Sequence, residues 1–193
     1  FTLPDYRYLC RLLQPPDPPG YVFNCARRQG TWDDRPITLM APALGAPYAV
    51  MVLEKLMVLG ARMILTLGWC GSLQPGLRIG DLVLPTTTVS TEGTSGHYPL
   101  DGQIADPDPG LSGILRRLLS ASDQRWQAGP VWSTDGFYRE TVQQVEAYQA
   151  QGDGVVRHPD AYGAPPGLEN LGHLAGGLQH KGVGAGNSRF MAL

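Results

Sequence analysis

Short apolar runs bounded by turn residues recur along the chain and predict buried strands. Residues 63–67 form such a run, which ends at Gly68. A run of this kind is typical of a strand that is buried on both faces, in a sheet covered by helices. The predicted strands are 36–40, 63–67, 81–85, 87–90 and 131–134.

Longer segments with a 3.6-residue spacing of apolar positions predict helices. In the first of them Val50, Leu53 and Met57 fall on one face, and Gly60 follows as a stop signal. In the next, four leucines and Ile114 share one side. The predicted helices are 46–59, 111–122 and 141–151, with a short helix as one interpretation of 6–13.

The alternation of strands and helices, with glycine-containing turns at the strand ends, predicts an α/β fold. In such folds ligands bind outside the carboxyl ends of the strands, where small residues let a ligand approach the backbone. The segments 68–71, 92–98 and 133–140 all follow predicted strands. They also fit ordinary turns, in which Gly and Asp serve backbone geometry alone. Spacing leaves both interpretations open.

Composition narrows the classes of partner. The formal net charge is −2 and 17% of the residues are charged, so we expect neither nucleic acid nor a membrane surface as a partner. No run approaches the roughly 18 apolar residues of a membrane span, and the first residues lack the pattern of a secretory signal. Cys10, Cys25 and Cys70 show no CxxC spacing, which favours reduced cysteines in a cytoplasmic protein.

Several segments together resemble the nucleoside phosphorylase family, which includes purine nucleoside and uridine phosphorylases. They are a helix that carries Glu54, the pattern GxxGxLQPxLxxGDLV that begins at Gly68, and a TDxxYRET segment that begins at Thr134. The segments follow one another in the family's order. We therefore expect a nucleoside phosphorylase-like domain over residues 1–154, clearest over 36–152.

The resemblance implies a mixed, twisted central sheet flanked by helices, in a homo-oligomer whose active sites lie near subunit contacts. The implied reaction is phosphorolysis, in which phosphate displaces the base from a nucleoside while positive charge develops on the sugar. The partners would be a small-molecule nucleoside and phosphate as co-substrate, with no other cofactor and no metal. The implied substrate-binding residues are Gly68, Trp69, Cys70, Gly71, Thr94, Ser95 and Phe137.

The resemblance also gives these residues roles. Gly68 and Gly71 would let the sugar and the anion lie against the backbone, while Trp69 and Cys70 would line the cavity between sugar and base. Phe137 would stack on the base. A core aromatic that closes the end of the sheet remains the alternative for Trp69. The loop that borders the sugar and the anion carries Thr94, Ser95 and His97, of which His97 also fits a surface residue without a role.

The expected phosphate site departs from the family's pattern. Family members carry an arginine shortly before the first glycine and a threonine directly after it, whereas this chain has Thr66 and Trp69. A hydroxyl cannot replace a bidentate guanidinium. Arg27 and Arg28 are the candidate substitutes, because related enzymes bring an arginine from a neighbouring subunit near this point. A solvated basic pair in a turn is the alternative.

Residues 155–193 form a Gly-, Pro- and His-rich tail that does not match the family. Its apolar residues recur with neither the 3.6-residue period of a helix nor the two-residue period of a strand, so we expect no regular element there. The family's Met-Glu and Ser-Asp motifs are missing. His158, His173 and His180 are too irregularly spaced for a helical metal site. A shifted reading frame, an alternative transcript and a family branch with a rebuilt C-terminus are the explanations we consider.

Three functions are therefore open: a phosphorylase, a nucleoside hydrolase that uses water, and a truncated nucleoside-binding protein without turnover. The missing arginine favours the hydrolase, and the missing late motifs favour binding alone. Asp135 and Glu140 are the nearby acids. We expect Asp135 to shape the turn after Thr134 and Glu140 to lie in the first turn of the next helix, so neither is assigned a catalytic role.

Overall fold

Four helices and nine strands make up the regular part of the described chain. The computed structural model describes residues 3–13, 18–98, 106–136, 138–150, 156–158, 173–176 and 190–192. The helices are α1 Leu3–Leu13, α2 Ala46–Val58, α3 Pro109–Ser120 and α4 Val142–Ala150. The strands are β1 Gly20–Val22, β2 Cys25–Trp32, β3 Arg35–Met40, β4 Ile64–Ser72, β5 Leu82–Ser90, β6 Trp126–Ser133, β7 Val156–His158, β8 His173–Gly176 and β9 Phe190–Ala192.

The first three strands form an antiparallel sheet in the order β1-β2-β3. Sequence reasoning treated the segment before residue 36 as turns and missed β1 and β2. The reason lies in the hairpins, because a two-residue loop places turn signals directly beside strand residues. Asp33 and Asp34 both have positive φ, of 51° and 59°, as a two-residue type I′ hairpin requires. They join β2 to β3, whose register pairs Gly30 with Ile37.

A second, six-stranded mixed sheet has the order β7-β6-β5-β9-β4-β8. Strands β5 and β6 are parallel, whereas β4 runs antiparallel to β9 and to β7. Because β7 pairs with both β6 and β4, part of this sheet closes on itself. The predicted strands 81–85 and 87–90 are one strand, β5, with an irregularity between Pro85 and Thr88.

Strands β7, β8 and β9 come from the C-terminal tail, and β9 lies between β5 and β4. The expectation of no regular element there is wrong for these ten residues. Backbone hydrogen bonds hold them in the sheet, and such bonds need no periodicity of side chains. The histidines His158 and His173 lie on β7 and β8, while His180 lies outside the described residues. The division at residue 154 stays a prediction.

The predicted helices 46–59, 111–122 and 141–151 are confirmed to within two residues, and the short helix considered for 6–13 begins three residues earlier, at Leu3. Local capping explains the shifted starts of α3 and α4. Helix α3 begins at Pro109, two residues early, because the Asp108 carboxylate accepts a hydrogen bond of 2.7 Å from the Leu111 amide. Helix α4 begins after Thr141, whose hydroxyl accepts from the Gln144 amide at 3.2 Å. The Gln144 side chain accepts from the Thr141 amide at 3.1 Å, which completes a capping box.

The core beside the parallel strands is packed by α3. Leu82 and Leu84 of β5 are 3% and 1% exposed and contact Leu119 of α3, with Leu115 and Trp126 packed at the edge. Burying a leucine contributes about 1.5–3 kcal/mol, so this cluster fixes α3 against β5. The parallel pair β5–β6 is thereby held rigidly, and its carboxyl ends carry two of the three candidate loops.

Candidate functional site

The glycines of the first candidate segment lie inside a strand. Residues 68–71 were expected as a loop, but β4 continues through them to Ser72. The expectation was wrong because glycine also occurs inside strands where another backbone approaches closely, and here Gly68 and Gly71 are paired on both sides of Cys70. Here Gly68, Trp69 and Cys70 pair with β9, and Gly71 pairs with β7. Cys70 is buried and Trp69 half-buried.

The carboxyl ends of β5 and β6 meet at one edge of the sheet, as a parallel pair requires. Ser90 and Ser133 are register partners. The Thr91 amide donates to the Ser133 carbonyl at 2.9 Å, and the Thr91 hydroxyl donates to the same carbonyl at 2.9 Å. The buried indole of Trp132 donates to the Thr91 hydroxyl at 2.7 Å. The second and third candidate loops are therefore directly joined.

Glu92 is a buried acid at the start of the second loop, and sequence reasoning assigned it no role. Its side chain is 8% exposed and accepts hydrogen bonds from the hydroxyls of Ser90 and Ser95. It also accepts from the Thr94 amide at 2.6 Å and from the Ser95 amide at 3.1 and 3.2 Å. Burial would raise the pKa of Glu92, but these donors outweigh burial and hold its pKa below the ordinary value.

These contacts change what Thr94 and Ser95 offer to a ligand. Their amides point to the Glu92 carboxylate, and the Ser95 hydroxyl donates to it as well. The short 3₁₀ helix Ser95–His97 follows, and His97 at its end is exposed. The loop therefore presents no cradle of Thr94 and Ser95 amides to an anion, and its hydroxyl oxygens remain as acceptors.

Asp135 reaches across to the second loop. Its Oδ2 accepts from the Gly93 amide at 2.9 Å, whereas the turn after β6 is shaped by Thr134, whose hydroxyl accepts from the Gly136 amide at 3.1 Å. The expectation that Asp135 shapes this turn therefore needs correction. Glu140 lies two residues before α4 and not in its first turn, because Thr141 is the cap.

Helix α4 connects the ends of β4 and β6. The Gln149 side chain donates to the Leu73 carbonyl at 2.6 Å, one residue after β4 ends. The rings of Tyr148 and Trp132 lie 4.8 Å apart, within the range of favourable aromatic contacts. The C-terminal end of α4 therefore contacts both the residue that follows β4 and Trp132, next to the third candidate loop. Phe137, the expected stacking residue, lies outside the described residues.

The second loop is also tied to α2. The Tyr98 hydroxyl donates to the Glu54 carboxylate at 2.8 Å. This hydrogen bond, followed in importance by burial, raises the pKa of Tyr98. The helix that carries Glu54, part of the sequence pattern singled out above, thus contacts the candidate site.

The candidate phosphate-binding arginines lie on a different sheet from Gly68 and Gly71. Arg27 and Arg28 are half-buried residues of β2. The guanidinium of Arg27 packs over Gly20, since a Cβ at that glycine would lie 3.2 Å from it. Arg28 lines a depression of about 410 Å³ between α1 and β2, whose other lining residues are Tyr6, Arg7, Cys10, Arg11, Pro19 and Ala26.

The described ranges carry neither a metal site nor a membrane-spanning helix. Among these residues, no group of three or more His, Cys, Asp or Glu side chains is placed to hold a metal ion. Every helix in the same ranges is too short or too polar to cross a bilayer.

A known protein family matches most of this chain. The profile described as "Phosphorylase superfamily" matches residues 12–156, which include all three candidate segments. That span is about three quarters of the chain, and the match shows that the chain belongs to this superfamily.

Individual relatives agree with that match. A guanosine phosphorylase from Halorubrum lacusprofundi is 31% identical over 60% of this chain and 48% of its own length. A uridine phosphorylase from Thermococcus kodakarensis is 31% identical over 56% of this chain and 39% of its own length. This chain spans about half the length of the curated relatives it matches.

Solved structures share the fold. A uridine phosphorylase from Vibrio fischeri superimposes with a TM-score of 0.77 at 21% identity, over 94% of this chain and 78% of that one. A purine nucleoside phosphorylase from Toxoplasma gondii gives a TM-score of 0.65 at 20% identity, over 86% of this chain and 75% of that one. The mixed sheet flanked by helices, expected from the sequence, is thereby confirmed.

Proposed function

We propose, because the chain belongs to the phosphorylase superfamily, that it is a nucleoside phosphorylase-like pentosyltransferase. It would cleave the N-glycosidic bond of a nucleoside with phosphate. The observation that carries the proposal is the family match over residues 12–156, which includes all three candidate segments. The curated relatives named above as guanosine and uridine phosphorylases support it.

In the proposed reaction the bond between the anomeric carbon and the base nitrogen breaks, and its electron pair leaves with the base. A phosphate oxygen forms the new bond to the anomeric carbon, which gives a pentose 1-phosphate. Positive charge develops on the sugar in the transition state, so the site must hold the anion close and support the departing base. Phosphate is the co-substrate, and we propose no further cofactor.

The proposed substrate-binding residues lie on the segments already described. Trp69 and Cys70 would line the cavity between sugar and base, and Phe137 would stack on the base. Thr94 and Ser95 would contact the sugar through side-chain oxygens, because their amides are committed to Glu92. Gly68 and Gly71 would let the ligand approach the strand.

Phosphate binding requires a cationic donor that Thr66 does not supply. We propose Arg27 or Arg28 for this role, acting from a neighbouring subunit in a homo-oligomer, since both lie on the other sheet of their own chain. Light scattering on a sizing column measures the oligomer. Alanine variants of the two arginines should raise the KM for phosphate and leave the KM for the nucleoside nearly unchanged.

A nucleoside hydrolase is the second candidate. It is favoured by Thr66 at the position where family members carry an arginine. Asp135, whose Oδ2 accepts from the Gly93 amide, supplies a carboxylate beside the second and third loops. In a hydrolase a carboxylate activates water, and no anion site is needed. Binding without turnover is the third outcome.

Release of free base from a panel of nucleosides, with and without phosphate, separates these functions. Uridine, guanosine and inosine form the panel, and purified chain is the catalyst. Release that depends on phosphate supports the phosphorylase. Equal release without phosphate supports the hydrolase, and binding without release overturns both enzymes.

We also propose that the protein works in the cytoplasm. None of its three cysteines is in a disulfide, and Cys25 and Cys70 are buried. Free thiols are the ordinary state of cysteines in a reducing compartment. Fractionation of cells that produce the protein, followed by detection with an antibody, tests this location.

A further inference from the structure

Glu92 gathers hydrogen-bond donors from both sides of its own loop. The Ser90 hydroxyl reaches it from the end of β5, and the Ser95 hydroxyl reaches it from the 3₁₀ helix. The amides of Thr94 and Ser95 close the ring of donors at 2.6 and 3.1 Å. A buried carboxylate is stable in its charged form only when it is satisfied in this way. The negative charge of Glu92 is therefore an internal anchor for the loop.

The same contacts argue against an acid–base role for Glu92. An efficient general acid or base has a pKa near the working pH, whereas hydrogen bonding holds the pKa of Glu92 below its ordinary value. Its oxygens are already occupied by hydroxyl and amide donors. Glu92 acts on its loop and does not exchange protons with a substrate.

Other contacts fix the two ends of this loop. In its middle, the 3₁₀ turn engages the carbonyls of Thr94 and Ser95, which accept from the His97 and Tyr98 amides at 3.0 Å, while Glu92 holds the amides of Thr94 and Ser95. Thr91 is tied to the Ser133 carbonyl, and the Gly93 amide is tied to Asp135. Tyr98 is tied to Glu54 on α2. Between these ties, the Thr94 and Ser95 amides donate to the Glu92 carboxylate.

We propose that Glu92 is a positioning residue, which holds the Thr94–Ser95 segment in the shape that binds the nucleoside. The inference rests on the proposed function, since it concerns the same site. Without the carboxylate, the loop spends most of its time in other shapes. The apparent affinity for the nucleoside is then the intrinsic affinity multiplied by the fraction of molecules that keep the competent shape. Bound nucleoside restores that shape, so kcat at saturation is retained.

The experiment compares Glu92→Gln with the matched control Glu146→Gln, which makes the same chemical change on the exposed side of α4. The Glu92 variant should raise the KM for the nucleoside about 10- to 100-fold, the range expected for losing charge-assisted hydrogen bonds, while kcat changes little. The control should change neither constant. A large loss of kcat at unchanged KM would place Glu92 in the chemistry and overturn the proposal. Unchanged constants would overturn it as well.

A readout without turnover separates this proposal from the proposed function. Hydrogen exchange of the peptide that covers residues 91–98 should be faster in the free Glu92→Gln variant than in the wild type, and unchanged in Glu146→Gln. Calorimetric titration with uridine or guanosine should show the same loss of affinity as the KM. If the wild type has no turnover, the proposed function fails, while exchange and affinity still decide the role of Glu92. Hydrogen exchange of residues 91–98 at the wild-type rate in Glu92→Gln would contradict that role of Glu92.

A milder variant covers the case in which Glu92→Gln does not fold. Ser90→Ala removes one of the donors and leaves the carboxylate in place. It should shift the KM for the nucleoside and the exchange of residues 91–98 in the same direction, by a smaller factor. No shift in either quantity would count against the proposal.

Discussion

Asp81 is a buried carboxylate whose removal should weaken the start of the parallel strand pair. It precedes β5, is 2% exposed, and accepts from Arg125 Nε at 2.9 Å and from Arg125 Nη2 at 3.2 Å. The Arg78 amide donates to its Oδ2 at 2.8 Å. Arg125 precedes β6, so this ion pair joins the amino-terminal ends of the two strands that carry the candidate loops.

The substitution Asp81→Asn should lower the free energy of unfolding by about 1.5–3 kcal/mol at neutral pH. The asparagine oxygen can take the place of Oδ2 and keep the bonds from the Arg78 amide and Arg125 Nη2, but the NH₂ group then faces the Nε donor of Arg125. Loss of a fully buried partner costs about 3–5 kcal/mol. The Arg125 side chain is 56% exposed and can hydrogen-bond to water in the variant. The expected loss of unfolding free energy is therefore below the range of about 3–5 kcal/mol.

The pH dependence of this effect follows from the direction of the pKa shift. Burial would raise the pKa of Asp81, but the bonds from Arg125 and Arg78 outweigh it and hold the pKa below its ordinary value. A depressed pKa in the folded state gives stability that is present above the unfolded pKa of about 3.9. This stability is lost as the pH falls through the folded pKa. The difference between wild type and variant should therefore be full at pH 7 and shrink below about pH 4.

Urea unfolding followed by circular dichroism measures this difference at several pH values. Asp123→Asn is the matched control, because Asp123 is exposed in the turn before Arg125. The control should unfold at the wild-type midpoint. An Asp81→Asn midpoint equal to that of the wild type at pH 7 would refute the reasoning.

Three further substitutions test the packing, the capping and the hydrogen bonding around the site. Leu84→Ala should lower the free energy of unfolding by about 2–5 kcal/mol in urea, because it opens a cavity under α3. Leu118→Ala, at a side chain that is 61% exposed, should lower it far less. Equal losses would contradict the packing. Thr141→Ala should lower the thermal midpoint by the equivalent of about 0.5–2 kcal/mol, since it removes the cap of α4, and an unchanged midpoint would rule out that cap. Thr91→Val should cost about 1–3 kcal/mol in urea unfolding, since it leaves the indole of Trp132 buried without its acceptor; wild-type stability would count against that bond.

Much of the fold could be predicted from periodicity because helices and parallel strands carry local signals. Helix α2 has its apolar face and its glycine stop within the segment itself, and its start is confirmed at Ala46. Strand β4 was predicted too short because its glycines resembled a strand end. The strands that pair with Gly68 and Gly71 come from more than 80 residues away in the sequence. Pairing between such distant segments leaves no signal in a local window.

The site was predictable in outline but not in its internal contacts. The meeting of the second and third loops followed from the parallel strands, and Ser90 opposite Ser133 confirms it. The role of Glu92 was missed because an acid in a polar loop is ordinarily solvated. A signal was present in the spacing of Ser90, Glu92 and Ser95, which places two hydroxyls within reach of one carboxylate. The assignments of Trp69, Phe137 and the other binding residues stay predictions.

The most direct test of the central claim is ³¹P nuclear magnetic resonance of the chain with nucleoside and inorganic phosphate. Uridine and guanosine are supplied separately, and free base is measured in the same samples. The proposed phosphorylase predicts a pentose 1-phosphate resonance that grows in equal amount with the free base. Free base without that resonance would identify hydrolysis, and neither product with either nucleoside would contradict the account.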